Sequence, residues 1–382
     1  MKDVKIADYL WFQEGPGVRN TQYTTSGVKL INVANLVDGN VDLSTSDRYI
    51  SEEEAYGKYN HFLADDGDFV IASSGIKIDY FDKKMGFIKK EHLPLCMNTS
   101  CIRFKVLDTN NLEIKYFMYY LKSNSFKKQL FNQITGSAQL NFGPSHLKKM
   151  TFPLIELKEQ KRIIERLDKT QNIINETKSL LSKYDTLIKS RFIEMFGEPV
   201  TNPKKWEVKT LNEVCRKITD GKHGGCKLDD KSDYYYVGAR EIFDLSIHYE
   251  TAQKITKEDF EKDYKRCNLE IGDFCIVNTG ATIGKTAIAK DEKTTHTLLQ
   301  KSVALLKVKP EEIIPLYLQY SYITNESMYK VESASAQPNL LLSKIRETKL
   351  MIPPLELQND FASFVQQIDK SKFENTTQEI AA

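Results

Sequence analysis

Residues 67–75, GDFVIASSG, and residues 272–280, GDFCIVNTG, are nearly the same segment, repeated 205 positions apart. Further pairs follow in the same order: KLINVAN (29–35) with YYYVGAR (234–240), SAQLN (137–141) with SAQPN (335–339), and PLIEL (153–157) with PPLEL (353–357). Their offsets of 205, 198 and 200 drift only as short loop insertions allow. The sequence therefore predicts a duplication in which each half is one domain followed by one tail.

The tail of the first half, 157–196, contains neither Gly nor Pro. Its apolar residues recur with 4-3-4-3 spacing, which is typical of a coiled coil, and a second apolar row of Ile173, Leu180 and Leu187 runs beside them. Gly197 is expected to end this helix, and the second tail is about 15 residues shorter. Two amphipathic helices in duplicated positions should pack together. The residues predicted to form their core are Ile163, Leu167, Ile174, Leu181, Tyr184, Ile188, Phe361, Phe364, Val365 and Ile368.

The segments before each tail are short, rich in β-branched and aromatic residues, and bounded by Gly, Asn and Asp, with helical stretches between them. They predict an α+β class, with mixed domains at 1–155 and 197–354 and helices at 156–196 and 355–382.

Composition excludes several classes of protein. The 382 residues are 41% hydrophobic and carry a net charge of +2, and no apolar run approaches the ~20 residues of a membrane span. The sequence starts without a secretion signal, so we expect a cytoplasmic protein. The six cysteines form no C-x-x-C pair and are expected to be buried thiols, so we predict neither a metal nor a cofactor.

Catalytic signatures are missing from the sequence. GATIGKT (280–286) is one residue too short between its glycines for a phosphate-binding loop and continues as strand-like alternation. Asp65, Asp66 and Asp68 are interpreted as a turn rather than a metal site. These absences favour a binding protein without catalytic residues.

The chain resembles the specificity subunit of type I restriction-modification systems over essentially its whole length. The resemblance rests on GPGVRNTQY (15–23) with GVKLINVANL (27–36), and on GDFVIASSG with GDFCIVNTGATIGKTAI. It also rests on the two SAQ segments, and on PLIELKEQKRIIERLD with PPLELQNDFASFVQQID. It implies two target recognition domains, each reading one half of a bipartite double-stranded DNA site, held apart by long helices that pair as an antiparallel coiled coil. The implied partners are two methyltransferase subunits, with two restriction subunits as optional additions, and the chain itself would catalyse nothing.

Polar and basic side chains in loops between strands are the candidates for DNA contact, because Arg and Lys suit guanine and phosphate while Asn and Gln suit adenine. Duplicated residues would position the duplex, and residues that differ between the halves, such as Asn35 against Arg240, would specify bases. The predicted set is Arg19, Asn20, Gln22, Ser73, Ser74, Lys77, Gln139 and Asn141 in the first half, and Lys222, His223, Arg240, Asn278, Thr279, Lys285, Gln337 and Asn339 in the second.

Two other functions stay open from sequence alone. The chain could be an adaptor whose coiled coil and domains bind proteins, or an enzyme that binds a nucleotide through GATIGKT. DNA footprinting separates the first from a DNA reader, and Lys285→Ala tests the second.

Overall fold

The computed structural model describes residues 2–134, 140–330 and 339–381, without the side chains of residues 140 and 375–381. The chain divides into two compact units, 1–173 and 174–382, and the division falls inside the long helix. Helices and strands are mixed in both units, which confirms the predicted α+β class. The domain limits predicted from sequence stay a prediction.

Unit 1 is built on a four-stranded antiparallel sheet in the order β2-β11-β7-β9, beside a three-stranded sheet in the order β10-β3-β6. Its strands are β1 (Lys2–Lys5), β2 (Leu10–Glu14), β3 (Val28–Ile31), β4 (Leu36–Val37), β5 (Asn40–Val41), β6 (Tyr49–Ile50), β7 (Phe69–Ala72), β8 (Ser74–Ile76), β9 (Met85–Phe87), β10 (Leu95–Met97), β11 (Cys101–Val106), β12 (Leu140–Asn141) and β13 (Thr151–Leu154). Its helices are α1 (Ile6–Tyr9), α2 (Glu52–Tyr56), α3 (Ile114–Leu121), α4 (Asn124–Gln133), α5 (Pro144–Leu147) and the start of α6 (Leu157–Phe196).

Unit 2 repeats this plan, with a four-stranded sheet in the order β15-β23-β20-β21 and a three-stranded sheet in the order β19-β16-β22. Its strands are β14 (Glu207–Thr210), β15 (Cys215–Asp220), β16 (Tyr234–Val237), β17 (Ile242–Phe243), β18 (Ser246–Ile247), β19 (Gln253–Ile255), β20 (Phe274–Val277), β21 (Thr286–Ile288), β22 (Thr297–Leu299), β23 (Val303–Val308) and β24 (Lys349–Ile352). Its helices, besides the end of α6, are α7 (Leu211–Val214), α8 (Lys257–Cys267), α9 (Pro315–Thr324), α10 (Leu342–Glu347) and α11 (Leu355–Ala381).

Strand pairing corrects the repeat register in two places. Lys29 faces Leu95 and Tyr235 faces Thr297, so these strands correspond at an offset of 206 rather than 205. Asn35 therefore corresponds to Glu241, not to Arg240, and both Asn35 and Glu241 are buried at the last position of a short 3-10 turn. The tails correspond at 198 rather than 200, because α6 begins at Leu157 and α11 at Leu355. Short similar segments can be aligned with a shift of one or two positions, whereas strand pairing fixes the register.

The long helix has the predicted limits, and Gly197 follows it with φ +85°. Its first turns pack Ile163 against the core of unit 1, and its last turns place Ile188, Phe192 and Phe196 in the core of unit 2. The two ends of one helix are therefore anchored in two different hydrophobic cores.

Within unit 2 the end of α6 packs against α11 in an antiparallel arrangement. The rings of Phe192 and Phe361 lie 5.4 Å apart. Asp185, which precedes Phe192 on α6, pairs at 2.8 Å with Lys372, which follows Phe361 on α11. Because the number rises along one helix as it falls along the other, the two helices run in opposite directions. This confirms the antiparallel helix pair that the resemblance implied.

The predicted helix core is only partly buried. Ile188, Phe361 and Val365 are buried, and Ile163, Tyr184, Phe364 and Ile368 are half-buried. Leu167, Ile174 and Leu181 are 39%, 41% and 36% exposed, so the structure does not place these three in a core. In the middle of α6 the less exposed row is Thr177, Leu180, Tyr184 and Ile188, which combines residues from the two predicted rows. A helix with two adjacent apolar rows can bury residues of either row, and tertiary packing decides which of them are covered.

None of the described helices combines the length and the apolarity that a membrane span requires.

Candidate nucleic-acid interface

Four chain segments of unit 1 meet at one edge of its sheets, which we call the first loop edge: residues 15–19, 73–77, 98–100 and 141–142. Ser73 joins two of them, because its N–H donates to the Ser100 carbonyl at 2.9 Å and its carbonyl accepts from the N–H of Phe142 at 3.0 Å. The N–H of Thr99 donates to the Pro16 carbonyl at 3.2 Å. A side-chain carbon at Gly15 would lie 2.4 Å from the Asn98 main chain, so only glycine allows this approach.

The second loop edge, residues 221–225, 278–285, 300–302 and 339–340, has the same hydrogen bonds. Asn278 donates its N–H to the Ser302 carbonyl at 3.0 Å and accepts from Leu340 at 2.7 Å, while Lys301 donates to the Lys222 carbonyl at 3.0 Å. At Gly221 a side-chain carbon would meet the Leu299 oxygen at 2.2 Å. The duplication at this edge therefore extends to the main-chain geometry and is not limited to similar sequence segments.

The outermost residue pairs of the two edges are chemically alike. In unit 1, Asn141 is exposed and pairs with the half-buried Ser74 across β8 and β12. In unit 2 the corresponding pair is Asn339 and Thr279, and the Thr279 hydroxyl donates to Asn339 Oδ1 at 3.2 Å. Each pair combines a hydroxyl with an Asn amide. The two edges differ instead at a neighbouring position, where unit 1 has Thr99 and unit 2 has Lys301 in the same hydrogen bond. Residues that differ in this way are the candidates for reading unlike half-sites.

The glycine-containing loop of unit 1 is held by the side-chain amide of Gln22. Gln22 accepts from the Arg19 N–H at 3.0 Å and donates to Glu54 at 2.6 Å and to the Tyr59 hydroxyl at 3.1 Å. The Gln22 amide is therefore occupied in shaping the loop, while Arg19 and Asn20 stay exposed on it.

The corresponding loop of unit 2 is held by charges instead. Lys222 forms an ion pair with Asp263, and this hydrogen bond raises the pKa of Lys222. The Tyr236 hydroxyl donates to the Gly224 carbonyl at 2.6 Å, and His223 lies 3.1 Å from Asp220. Lys222 is committed to Asp263, whereas His223 is exposed at the tip of the loop.

Most of the predicted DNA-contact residues lie at or next to the two loop edges, and their side chains differ in solvent exposure. Ser73 and Asn278 are buried and fix the main chain, so their side chains face inward. Arg240 is 76% exposed and follows Ala239, whose N–H donates to the Ser302 hydroxyl at 3.2 Å. Gln139 and Gln337 lie outside the described residues. The remaining exposed members are Lys77, Asn141, Lys285 and Asn339.

Sequence reasoning missed the third segment of each edge. Asn98, Thr99 and Ser100 correspond to Gln300, Lys301 and Ser302 at an offset of 202, and Lys301 is exposed beside the Lys222 loop. The segments MNTSCIRF and LQKSVALL share too few letters to be noticed without the strand pairing that aligns them.

Below the edges, a duplicated set of ion pairs ties the sheet to the preceding turn. Asp68 accepts from the Asp65 N–H at 2.9 Å and faces Arg103 at 3.0 Å and Lys105 at 3.5 Å. In unit 2, Lys307 contacts Asp273 at 2.6 Å and Glu270 at 2.8 Å. The predicted turn at the acidic cluster is thus present, and its carboxylates hold cationic side chains. Among the described residues no group of His, Cys, Asp and Glu could hold a metal ion.

The GATIGKT segment is the tip of a hairpin. It connects the antiparallel strands β20 and β21, the Val277 N–H donates to the Lys285 carbonyl at 2.8 Å, and Gly284 donates back to Val277 at 3.0 Å. A phosphate-binding loop would open a helix, whereas Thr286 begins a strand. The geometry does not support the nucleotide-enzyme alternative and leaves Lys285 exposed beside Thr279.

Comparisons with known proteins agree with this arrangement. The family model "Type I restriction modification DNA specificity domain" matches residues 19–182 and again 203–382. A relative named as the MjaVIII type I restriction enzyme specificity subunit of Methanocaldococcus jannaschii is 27% identical over 45% of this chain and 39% of its own length. The EcoBI specificity subunit of Escherichia coli is 22% identical over 58% of this chain and 52% of its own length. The chain thus spans about half or less of the curated relatives it matches.

Among solved structures, the S subunit of a type I restriction-modification system from M. genitalium has a TM-score of 0.55 and 15% identity, over 100% of this chain and 92% of that one. A structure described as the basis of complex assembly and conformational transition of the type I restriction-modification system has a TM-score of 0.50 over 98% and 93%. At this identity the likeness concerns the fold. Because the family model covers most of the sequence in two copies, this chain belongs to the family of type I restriction modification DNA specificity domains.

Proposed function

We propose that this chain is the DNA sequence-specificity subunit of a type I restriction-modification complex and reads a bipartite double-stranded site, with one unit for each half-site. The observation that carries the proposal is the repeated hydrogen-bond frame at the two loop edges, which places unlike side chains, Thr99 in unit 1 and Lys301 in unit 2, at the same position. Two readers with one frame and different contacts fit a site with two unlike halves.

The residues proposed to contact DNA fall into two groups. Arg19, Lys77, Lys285 and Lys301 supply positive charge for phosphates or guanine, and the exposed His223 supplies a hydrogen-bonding ring. Asn20, Ser74, Asn141, Arg240, Thr279 and Asn339 supply hydrogen-bonding groups. Arg240 differs from its counterpart Ala34, whereas Asn141 and Ser74 have like counterparts in Asn339 and Thr279. Gln22, Ser73, Lys222 and Asn278 would act by shaping the loops, because their side chains are bonded within the chain or buried.

The proposed partners are two methyltransferase subunits, with two restriction subunits as optional additions, assembled in the cytoplasm where the DNA lies. The chemistry would belong to those partners, and this chain would contribute recognition without a catalytic residue. The α6–α11 helix pair would set the separation of the half-sites.

The experiment is methylome sequencing of host DNA with and without this chain, in cells that express the partner methyltransferase. Loss of methylation at one bipartite motif when the chain is removed supports the proposal. An unchanged methylome with an active partner methyltransferase would overturn it and favour the protein-binding adaptor.

A further inference from the structure

The side chain of Gln160 lies fully buried where the long helix leaves unit 1. Its oxygen accepts from the Glu113 N–H at 2.9 Å. Its amide nitrogen donates to the Asn111 carbonyl at 2.8 Å and to the Ile155 carbonyl at 2.8 Å. One side chain therefore ties the first turn of α6 to the loop that starts α3 and to the segment after β13.

Gln358 makes the same three bonds in unit 2, at an offset of 198. Its oxygen accepts from the Ile314 N–H at 3.0 Å, and its nitrogen donates to the Glu312 carbonyl at 3.2 Å and to the Pro353 carbonyl at 2.8 Å. It is also fully buried. The sequence around the two glutamines differs, KEQKR against ELQND, so the shared feature is the bonded glutamine itself.

The three bonds restrict how each helix can pivot. Glutamine offers one acceptor and two donors at a fixed angle, and here all three are used by main-chain groups of two other segments. A tilt of the helix would break bonds that no water replaces, because the site is buried. Neighbouring apolar contacts, by comparison, are non-directional and tolerate small rotations.

We propose that Gln160 and Gln358 are positioning residues that fix the direction of each long helix on its domain and thereby set how strictly the spacer between the two half-sites is measured. This inference rests on the proposed function, since a spacer exists only for a bipartite site. The glutamines touch no DNA. Their effect on binding passes through the helices.

The test uses the full chain co-expressed with its methyltransferase subunit, with methylome sequencing as readout. Gln160→Met and Gln358→Met keep the volume and remove the directional bonds, and Gln366→Met, at an exposed position on α11, is the matched control. We expect both variants to methylate the wild-type half-sites. We also expect them to raise methylation of sites with a spacer one base pair longer or shorter about tenfold, because the three directional bonds no longer penalise a tilted helix. Gln366→Met should keep the wild-type spacer.

The outcomes separate this inference from the proposed function. A wild-type chain that directs no bipartite methylation overturns both. If the wild-type chain methylates sites of one spacer length and both variants keep that spacer, the role of the glutamines is overturned while the proposed function stands. The same conclusion follows if the variants lower methylation equally at every spacer length. If Gln160→Met does not accumulate as folded protein, Gln160→Asn decides, because the shorter amide introduces no new charge and cannot reach all three partners.

Discussion

Asn278 and Leu340 are joined by a 2.7 Å hydrogen bond from the Leu340 N–H to the Asn278 carbonyl, although 62 positions separate them in the chain. The bond brings Thr279 beside Asn339, and Ser73 with Phe142 repeats it at 3.0 Å in unit 1. Because the frame is main chain, its outer side chains can change without loss of the fold. This separation of frame from contact underlies the predictions for DNA reading.

Arg240→Ala should relax recognition at one half-site only, because the exposed Arg240 stands where unit 1 has Ala34. A lost guanidinium contact to a base is worth about 1–3 kcal/mol, so discrimination at the affected base pair should fall roughly 5- to 150-fold. Competition binding with DNA changed at single base pairs measures this, and Asn359→Ala, exposed on α11, serves as control. Altered discrimination in both half-sites would contradict the assignment of one unit to each.

Arg19→Ala and Lys285→Ala should weaken binding to all sequences and lower its salt dependence. Each lost phosphate contact reduces the slope of log affinity against log salt by about 0.9. Filter binding between about 50 and 200 mM salt gives the slope. Lys158→Ala, exposed on the long helix, should leave the slope unchanged, and an equal decrease there would argue against specific contacts at the loop edges.

Asp220→Asn should destabilise unit 2 at neutral pH and have little effect in acid. Burial opposes ionisation of Asp220, but hydrogen bonds from Arg266 and His223 outweigh it and lower the pKa of its carboxyl below the ordinary value. A lowered folded-state pKa stabilises the protein above the unfolded pKa of about 3.9, and this contribution is lost as pH falls through the folded value. The difference in unfolding free energy should be about 1–2 kcal/mol at pH 7 and shrink below about pH 4. Urea unfolding at both pH values checks it, and a difference that grows in acid would reverse the assigned sign.

Phe361→Ala should cost about 3–5 kcal/mol, because the ring is fully buried against Phe192, Phe196 and Tyr320. Leu167→Ala should cost less than about 1 kcal/mol, because Leu167 is 39% exposed. Thermal unfolding of the isolated chain distinguishes them. Equal losses would show that Leu167 is covered in solution, as the heptad pattern alone predicts.

The repeat and the long helix could be predicted from sequence because each depends on local information. Repeated sequence segments reveal a duplication. One helix is predicted from the 40 residues Leu157–Phe196, which contain neither Gly nor Pro. The burial of its faces could not be predicted, because Ile174 and Leu180 are equally apolar and only packing decides which of them is less exposed.

The exposed loop residues of the candidate site could be predicted from sequence. The hydrogen bonds and ion pairs that hold the surrounding structure in place could not. Loop residues such as Arg19 and Lys285 stand out by chemistry and position. The bonds of Gln160, and the ion pairs of Lys307 with Asp273, join residues far apart in the chain, and nothing in the local sequence marks them. The repeated segments alone align Asn35 with Arg240, whereas the strand register makes Glu241 its equivalent in unit 2.

The most direct test of the account exchanges residues 1–155 for the matching domain of another specificity subunit and sequences the methylome of cells that express the hybrid with its methyltransferase. We predict that one half-site changes to that of the donor while the other half-site and the spacer stay as in wild type. A change in both half-sites, or none in either while methylation persists, would contradict independent reading by the two units.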